Sequence, residues 1–176
     1  KAVFDEVGAA RSEELCAVIW DGPVETLTLT ANAQPALMAV SLAVMRVLEA
    51  EAGLDLKRDA AFVAGHSLGE YSALAAAGTF SLADTARLLR IRGNAMQKAV
   101  PAGEGAMAAI IGFEHADVQS ACEASAQGQV CQIANDNGGG QLVIYGSKAA
   151  VERAAARCTE NGAKRAIMLP VSAHFH

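Results

Sequence analysis

The sequence predicts an α/β protein, and two features lead to that prediction. In the first, the apolar segment 60–64 runs through a short turn into an alanine-rich stretch, which is the order strand, turn, helix. In the second, strand and helix patterns alternate through residues 103–167. A chain of 176 residues, of which 52% are hydrophobic, is long enough for one sizeable core, or for a core and a small subdomain.

A long helix is predicted over residues 35–52, because apolar side chains recur there at helical spacing. Pro35 lies in the expected first turn, and Gly53 is the expected C-terminal stop. The apolar positions that define this helix are Leu37, Val40, Leu42, Val44, Val47 and Leu48.

Five residues that follow the predicted strand have the pattern of a nucleophile elbow, Gly65-His66-Ser67-Leu68-Gly69. A turn sharp enough to expose a hydroxyl brings together the residues two before and two after it, and the two glycines remove that clash. Ser67 is therefore the candidate covalent nucleophile. The amide N–H of Leu68 is the candidate oxyanion donor, because it faces that site from the start of a helix. A glycine-rich turn with a capping serine is the alternative interpretation.

A second long helix is predicted over residues 81–99, because Ser81 followed three residues later by Asp84 is typical of a capping box. Its polar face consists of Arg87, Arg90, Asn94 and Lys98. Arg92 lies on the opposite side, within the apolar stripe, where an unpaired guanidinium costs several kcal/mol, roughly. It therefore needs an anion, which is either a buried carboxylate of the protein or a bound substrate carboxylate. The pattern leaves both possibilities open.

The second half of the chain predicts the element order βαββαβ. The predicted strands are 106–111, 130–134, 141–145 and 163–169, the predicted helices are 117–126 and 147–160, and a turn is predicted over 135–140. This order suggests a ferredoxin-like subdomain. We therefore predict that residues 103–167 form this subdomain, inserted into a larger α/β core made of residues 1–102 and 168–176.

Composition and charge narrow the classes of partner. Lys and Arg total 14 and Asp and Glu total 19, so the net charge is −5, and no basic cluster with interleaved aromatics is present to follow nucleic acid. No uninterrupted apolar run approaches membrane-spanning length. The four cysteines lack metal-site spacing, and with no signal peptide visible they are predicted to be reduced thiols of a cytoplasmic protein. We expect no nucleic-acid partner, no membrane partner and no metal.

Several motifs together resemble those of malonyl-CoA:acyl carrier protein transacylases of fatty-acid synthesis. They are Gly65-His66-Ser67-Leu68-Gly69-Glu70-Tyr71, Arg92-Gly93, Gly105-Ala106-Met107-Ala108-Ala109, Gln34-Pro35-Ala36-Leu37, Asn135-Asp136-Asn137 with Gln141, and Pro170-Val171-Ser172 leading to His176. The resemblance covers nearly all of the chain. It implies an α/β-hydrolase-like core with an inserted ferredoxin-like subdomain, in agreement with the element order above.

The resemblance also implies roles for individual residues. Ser67 is implied as the nucleophile and His176 as the general base. Arg92 is implied as the clamp for the free carboxylate of malonate, and Leu68 as an oxyanion donor through its N–H. The other substrate-binding residues that it implies are Gln34, Met96 and Phe175. Phe175 resembles the residue that accompanies malonyl rather than methylmalonyl specificity in related acyltransferase domains, so we expect it to narrow the pocket.

The activity that the resemblance implies is a two-step acyl transfer that needs no metal or redox cofactor. Ser67 takes the malonyl group from malonyl-CoA, and the pantetheine thiol of acyl carrier protein accepts it; coenzyme A enters only as part of the thioester substrate. An acidic carrier is expected to meet a basic patch drawn from Arg153, Arg157, Lys164 and Arg165, unless these are ordinary solvated charges. A serine thioesterase, which passes the acyl group to water, and a non-catalytic acyl-CoA-binding remnant are the alternatives.

Departures from the family pattern bear on activity. His174 stands where members of this family usually carry proline, two residues before the implied base His176. The family's N-terminal Gly-Gln-Gly segment, which supplies another oxyanion group, and the later stretch whose backbone carbonyl orients the histidine are both missing from the sequence. The chain is therefore interpreted as a fragment, and by itself it is expected to have little or no activity.

Overall fold

The computed structural model describes residues 1–11, 14–99 and 103–169. It divides into two compact units, residues 1–95 and residues 96–176. The described part of the first unit consists of helices, and the described part of the second contains a four-stranded sheet and two helices. The combination of helices with a small antiparallel sheet agrees with the predicted α/β class.

The helices of the first unit are α1 (Ala2–Arg11), α2 (Glu14–Asp21), α3 (Val24–Leu27), α4 (Thr30–Ala52), α5 (Leu56–Asp59), α6 (Gly69–Ala76) and α7 (Leu82–Ala99), the last of which continues past residue 95. Their shared core consists of Val3, Val7, Leu15, Met38, Ala39, Leu42, Leu82, Ala86 and Leu89. Because α4 and α7 both supply buried side chains to this core, their relative position within the unit is set by apolar packing.

The prediction for the start of α4 is wrong by more than one turn. The helix begins at Thr30, so Pro35 lies inside it and not in its first turn. A proline in this position removes the N–H that the carbonyl of Ala31 normally accepts. That carbonyl instead accepts a hydrogen bond from Arg90 Nη1 of α7 at 3.1 Å, which satisfies it. The predicted stop is confirmed, since Gly53 caps the helix in the left-handed conformation with φ 66°.

The buried face of α4 does not coincide with the apolar positions that predict the helix. Of the six predicted apolar positions only Leu42 is buried, and the inward face is completed by Met38 and Ala39. The other five side chains are 40–55% exposed. The helix is long and apolar enough to cross a membrane by length and composition alone, with a mean hydropathy of 1.3, and it is the only such helix in the part of the chain that the structure describes. Core helices of globular proteins meet the same two criteria.

The predicted start of α7 is confirmed, but the predicted capping box is only half formed. Ser81 Oγ accepts a hydrogen bond from the backbone N–H of Asp84 at 3.0 Å, which is the expected cap. The carboxylate of Asp84 does not return to the backbone as in a capping box, because it accepts the Ser81 hydroxyl proton at 2.7 Å. This hydrogen bond holds the pKa of Asp84 below its usual value.

The prediction of a strand over residues 60–64 is wrong for the structure described. A strand exists only where backbone groups pair with a neighbouring strand, and none of the described residues of the first unit forms one. Phe62 is 93% exposed and Val63 is 41% exposed. Apolar composition therefore does not make this segment a strand, because no described strand pairs with it.

The predicted βαββαβ order of the second unit is confirmed. Its elements are β1 (Gly105–Ile111), α8 (His115–Ala126), β2 (Cys131–Asp136), β3 (Gln141–Ser147), α9 (Lys148–Glu160) and β4 (Arg165–Met168). The strand order across the sheet is β2-β3-β1-β4, and every neighbouring pair is antiparallel. Strand β2 extends two residues into the predicted turn, with an irregularity between Ile133 and Asn135. Ser147 is the N-cap residue of α9, but its side chain makes no capping hydrogen bond.

The cysteines are free thiols, as the sequence predicts. Cys122 and Cys158 are buried in the core of the second unit, and Cys131 packs against that core. A hydrogen bond between the thiols of Cys122 and Cys131 raises the pKa of Cys122 and lowers that of Cys131. Burial raises the pKa of the Cys158 thiol. None of these thiols is used in the site described below.

Close approach of α7 to α4 depends on Gly93, and replacing it by Ala is expected to destabilise the protein. A Cβ at this position would lie 2.6 Å from Ala31 Cα, a backbone atom that cannot move without displacing α4. Although alanine is the better helix former by about 1 kcal/mol, we expect the free energy of unfolding to fall by about 1–3 kcal/mol. Denaturant unfolding measures this.

The control for this substitution is Asn94→Ala, at the next position of α7, where the side chain is exposed. It is expected to leave stability unchanged or slightly higher. Equal stability of the two variants would contradict the close approach of the helices.

Candidate active site

The turn between segment 60–64 and α6 has the strained geometry that the motif predicts. Ser67 has φ 55°, in the left-handed region that residues with a side chain seldom adopt. The turn is closed by a 2.8 Å hydrogen bond from the N–H of Gly69 to the carbonyl of His66. Non-glycine residues in this region are concentrated at functional sites, because the surrounding structure must maintain the strain. The conformation therefore favours the elbow over an ordinary capping turn.

The two glycines of the motif are not equivalent. A Cβ on Gly65 would lie 1.9 Å from the carbonyl oxygen of Gly69, which no side chain can tolerate. A Cβ on Gly69 would meet no described atom within 4 Å. The expectation that both glycines relieve a clash is therefore correct for Gly65 and wrong for Gly69, because only Gly65 lies beneath the crossing chain.

Leu68 follows the serine and is the N-cap residue of α6. Its side chain packs against the core of the first unit, so the backbone at this point is anchored. The amide groups at a helix start carry the positive end of the helix dipole. Leu68 therefore lies between Ser67 and the first residue of α6.

Arg92 of α7 contacts the serine directly. Its Nη2 donates a hydrogen bond to Ser67 Oγ at 3.1 Å, and its Nη1 donates one to Gln34 Oε1 at 2.5 Å. The guanidinium carbon lies 5.9 Å from the centroid of the Tyr71 ring, within cation–π range. The helix face predicted from the sequence is thus correct, because Arg92 is half-buried and points towards the turn.

The charge of Arg92 is not neutralised by an acidic side chain among the described residues. The ion pairs found there are Arg46–Glu6, Arg58–Asp59 and Arg87–Asp84. The contacts of Arg92 with Gln34, Ser67 and Tyr71 are all to uncharged groups. Of the two possibilities that the sequence left open, the buried structural ion pair is therefore not observed in the described part of the chain.

Gln34 lies beneath the guanidinium and is itself held in place. It is 3% exposed, and its Nε2 donates a hydrogen bond to Thr30 Oγ1 at 2.7 Å. Thr30 is also 3% exposed and is the first residue of α4. The sequence analysis named Gln34 but missed Thr30, because α4 was expected to start after it. The missed signal is the four-residue spacing, which aligns the two side chains along a helix.

His176 and Phe175 lie outside the described residues, as does His174. Met96 is half-buried and lies one helical turn after Arg92 on α7. The structure describes no group of three or more His, Cys, Asp or Glu side chains that could hold a metal ion.

The four basic residues considered for carrier binding also differ from one another. Arg153 donates hydrogen bonds from Nε and Nη2 to the carbonyl of Ser125, at 3.0 and 2.8 Å, and so satisfies the C-terminal end of α8. The exposed members of the set are Arg157, Lys164 and Arg165. The guanidinium of Arg153 is therefore engaged in hydrogen bonds within the second unit, whereas the side chains of the other three residues are exposed to solvent.

The site combines a serine on a strained turn with a helix start beside it and a cation that contacts it. These features are consistent with the family to which the sequence is matched. The chain matches the acyl transferase domain family over residues 8–176, and it belongs to that family.

Individual members of that family are closely similar. The chain is 50% identical over 173 residues to malonyl CoA-acyl carrier protein transacylase of Escherichia coli strain K12, covering 98% of this chain and 55% of that protein. It is 48% identical over 177 residues to the protein of the same name from Bacillus subtilis, covering 54% of it. The chain therefore spans about half the length of these relatives.

The chain is also similar to solved structures of malonyltransferases, and it again covers about half of their length. An acyl-carrier-protein-S-malonyltransferase from Bartonella henselae superimposes with a TM-score of 0.92 at 64% identity, covering 98% of this chain and 55% of that one. A malonyl-transacylase in complex with its type II PKS acyl-carrier protein superimposes with a TM-score of 0.91 at 44% identity, covering 98% and 54%.

Unequal roles of the two elbow glycines lead to a prediction. Gly65→Ala is expected to disrupt the turn, because its Cβ cannot coexist with the Gly69 carbonyl. We expect a loss of stability of about 3 kcal/mol or more. Gly69→Ala, whose Cβ meets no described atom, is expected to retain the stability. Thermal unfolding distinguishes the variants, and an equal loss in both would contradict the asymmetry.

Proposed function

We propose that the protein is an acyltransferase that moves a malonyl group from coenzyme A to the pantetheine thiol of acyl carrier protein, in fatty-acid biosynthesis. The contact between Arg92 and Ser67 is the observation that carries this proposal. It joins a hydroxyl on a strained turn to a half-buried cation that has no acidic partner among the described residues. A thioester whose acyl group ends in a carboxylate matches both groups.

In the first step, Ser67 Oγ attacks the thioester carbonyl of malonyl-CoA, and His176 accepts the hydroxyl proton. The carbonyl oxygen becomes an oxyanion, which the Leu68 N–H stabilises together with the positive end of α6. The C–S bond then breaks, and the thiolate of coenzyme A leaves with the proton that His176 returns. The product is a malonyl ester on Ser67.

In the second step, the pantetheine thiol of the carrier protein attacks that ester. His176 accepts the thiol proton and returns it to Ser67 Oγ as the ester bond breaks. The malonyl thioester of the carrier is released, and the serine is restored. These proton and acyl transfers balance without a resident cofactor or metal.

Arg92 gives the selectivity for malonate in this proposal. A guanidinium has five N–H donors, of which one is used by Gln34 and one by Ser67, so donors remain for a bidentate contact to the free carboxylate. An acetyl group has no carboxylate and leaves the cation without an anion. We assign Gln34, Met96 and Phe175 to the walls of the same substrate site.

The carrier protein is proposed to bind the second unit through exposed basic side chains. Similarity to a malonyl-transacylase solved in complex with an acyl-carrier protein supports binding of a carrier protein. The basic residues with exposed side chains there are Arg157, Lys164 and Arg165. Their attraction for an acidic partner is local, because the net charge of the chain is −5.

We further propose that residues 103–167 form a ferredoxin-like subdomain and that residues 1–102 and 168–176 belong to an α/β-hydrolase-like core. The order β4-β1-β3-β2 with two connecting helices supports the first assignment. The exposed apolar side chains of segment 60–64 and of α4 support the second, because a core sheet would bury such surfaces. The free thiols agree with a cytoplasmic location.

The proposed acyl-enzyme can be observed directly. Incubating the complete protein with malonyl-CoA is expected to add one malonyl group, detected by intact mass and mapped to Ser67. Ser67→Ala is expected to abolish this addition, and Ser41→Ala, which removes an exposed hydroxyl on α4, is expected to leave it unchanged. The ester should persist in buffer and discharge when carrier protein is added.

Other outcomes of this experiment identify the alternatives. Rapid hydrolysis of the ester without carrier protein would identify a serine thioesterase. Failure to form any ester, with binding of malonyl-CoA retained, would identify a non-catalytic binding module. Malonyl transfer by Ser67→Ala at the wild-type rate would remove the serine from the mechanism.

Removing the cation tests the selectivity for malonate. Arg92→Ala is expected to lower kcat/KM for malonyl loading by about 100-fold or more, and to reduce the preference over acetyl-CoA by a similar factor. Arg87→Ala is the matched control, because Arg87 lies on the same helix and pairs with Asp84 at the surface. Loading rates with both thioesters measure the effect, and an unchanged malonyl preference in Arg92→Ala would show that another group binds the carboxylate.

A further inference from the structure

We propose that Thr30 is a positioning residue for the substrate-binding cation, acting through the side-chain amide of Gln34. This inference rests on the proposed function, because it concerns how the malonate clamp Arg92 is aimed. The chain of contacts runs from Thr30 Oγ1 to Gln34 Nε2 at 2.7 Å, and from Gln34 Oε1 to Arg92 Nη1 at 2.5 Å. It continues from Arg92 Nη2 to Ser67 Oγ at 3.1 Å.

The orientation of the Gln34 amide is decisive in this chain. Only the oxygen end of an amide can accept a hydrogen bond from a guanidinium, whereas its NH₂ end presents positive hydrogens to the cation. With Oε1 facing Arg92, Nε2 points back along α4 towards Thr30. Because both Gln34 and Thr30 are 3% exposed, bulk water does not readily replace the hydroxyl as an acceptor. Thr30 thus makes the productive orientation compatible with burial.

The packing of α7 on α4 places Thr30 where it can act. Gly93, next to Arg92, approaches so closely that a Cβ there would lie 3.0 Å from the Thr30 carbonyl oxygen. Arg90, two residues before Arg92, donates hydrogen bonds to the Ala31 carbonyl and to Asn32 Oδ1. The first turn of α4 is therefore attached to the stretch of α7 that carries the cation. Thr30 is part of the rigid contact between these helices.

A neutral amide is also the partner that preserves the function of the cation. A carboxylate in the place of Gln34 would hold Arg92 in the same direction but neutralise its charge before substrate arrives. An amide orients the guanidinium and leaves its full charge for the incoming malonate. Thr30 and Gln34 therefore orient the guanidinium of Arg92 without neutralising its positive charge.

The test uses the complete protein with three substitutions. Thr30→Val removes the hydroxyl with little change of shape, Thr30→Ser retains it, and Thr85→Val is the matched control. Thr85 is a fully buried threonine of α7 whose hydroxyl donates to the Ser81 carbonyl, away from the cation. Rates of Ser67 acylation are measured with malonyl-CoA and with acetyl-CoA, together with thermal unfolding.

Thr30→Val is expected to lower kcat/KM for malonyl-CoA by about 10-fold, chiefly through KM, while changing acylation by acetyl-CoA less than about twofold. Thr30→Ser is expected to restore most of the malonyl preference. Thr85→Val is expected to lower the unfolding temperature without changing the ratio of the two substrates. This combination separates a role in aiming the cation from a role in stability alone.

Gln34→Glu gives a second, independent readout if Thr30→Val folds poorly. It is expected to lower the malonyl-to-acetyl preference at least as strongly as Thr30→Val, because it pairs with Arg92. An unchanged malonyl preference in folded Thr30→Val, or in Gln34→Glu, would overturn this inference while leaving the proposed function intact. A wild-type protein that acquires no malonyl group at Ser67 would overturn both.

Discussion

The two hydrogen bonds from the guanidinium of Arg92, one to Gln34 and one to Ser67, are the interaction on which the site depends. They connect three separate pieces of the first unit: helix α4, helix α7 and the turn before α6. An arginine within an apolar helix face is costly unless its donors are satisfied. Here they are satisfied by neutral groups, so the positive charge is retained next to a nucleophilic hydroxyl. In the proposed function, that combination, rather than the serine alone, separates a carboxylate-selective acyltransferase from a general serine hydrolase.

The geometry of these contacts depends on the backbone at two glycines and one proline. Gly65 permits the sharp turn that presents Ser67, and Gly93 permits α7 to lie against the first turn of α4. Pro35 leaves the carbonyl of Ala31 without its helical donor, and Arg90 supplies the missing hydrogen bond from α7. The proline that would weaken an isolated helix thus becomes a point of attachment between two helices.

The second unit follows from local sequence patterns and from the packing of two helices on one sheet. Its sheet buries one face under α8 and α9, and its strands and helices alternate in the order that local patterns predict. Arg153 satisfies the carbonyl of Ser125 at the end of α8. The second unit therefore rests on regular packing, whereas the strained turn and the half-buried cation lie in the first unit.

The sequence by itself determined the features that depend on neighbouring residues. These are the tight turn at Ser67, the cap of α7, the end of α4 at Gly53, the inward face of Arg92 and the element order of the second unit. They follow from local sterics, capping and helical spacing, which a short stretch of chain specifies.

Only the tertiary structure decided the rest. The neutral partners of Arg92, the part that Thr30 plays beneath Gln34, and the buried face of α4 all depend on which distant segment packs there. The same holds for segment 60–64, whose apolar residues favour a strand but which remains unpaired among the described residues. Pairing and burial are properties of two surfaces that meet, and a pattern read along one of them cannot specify the other.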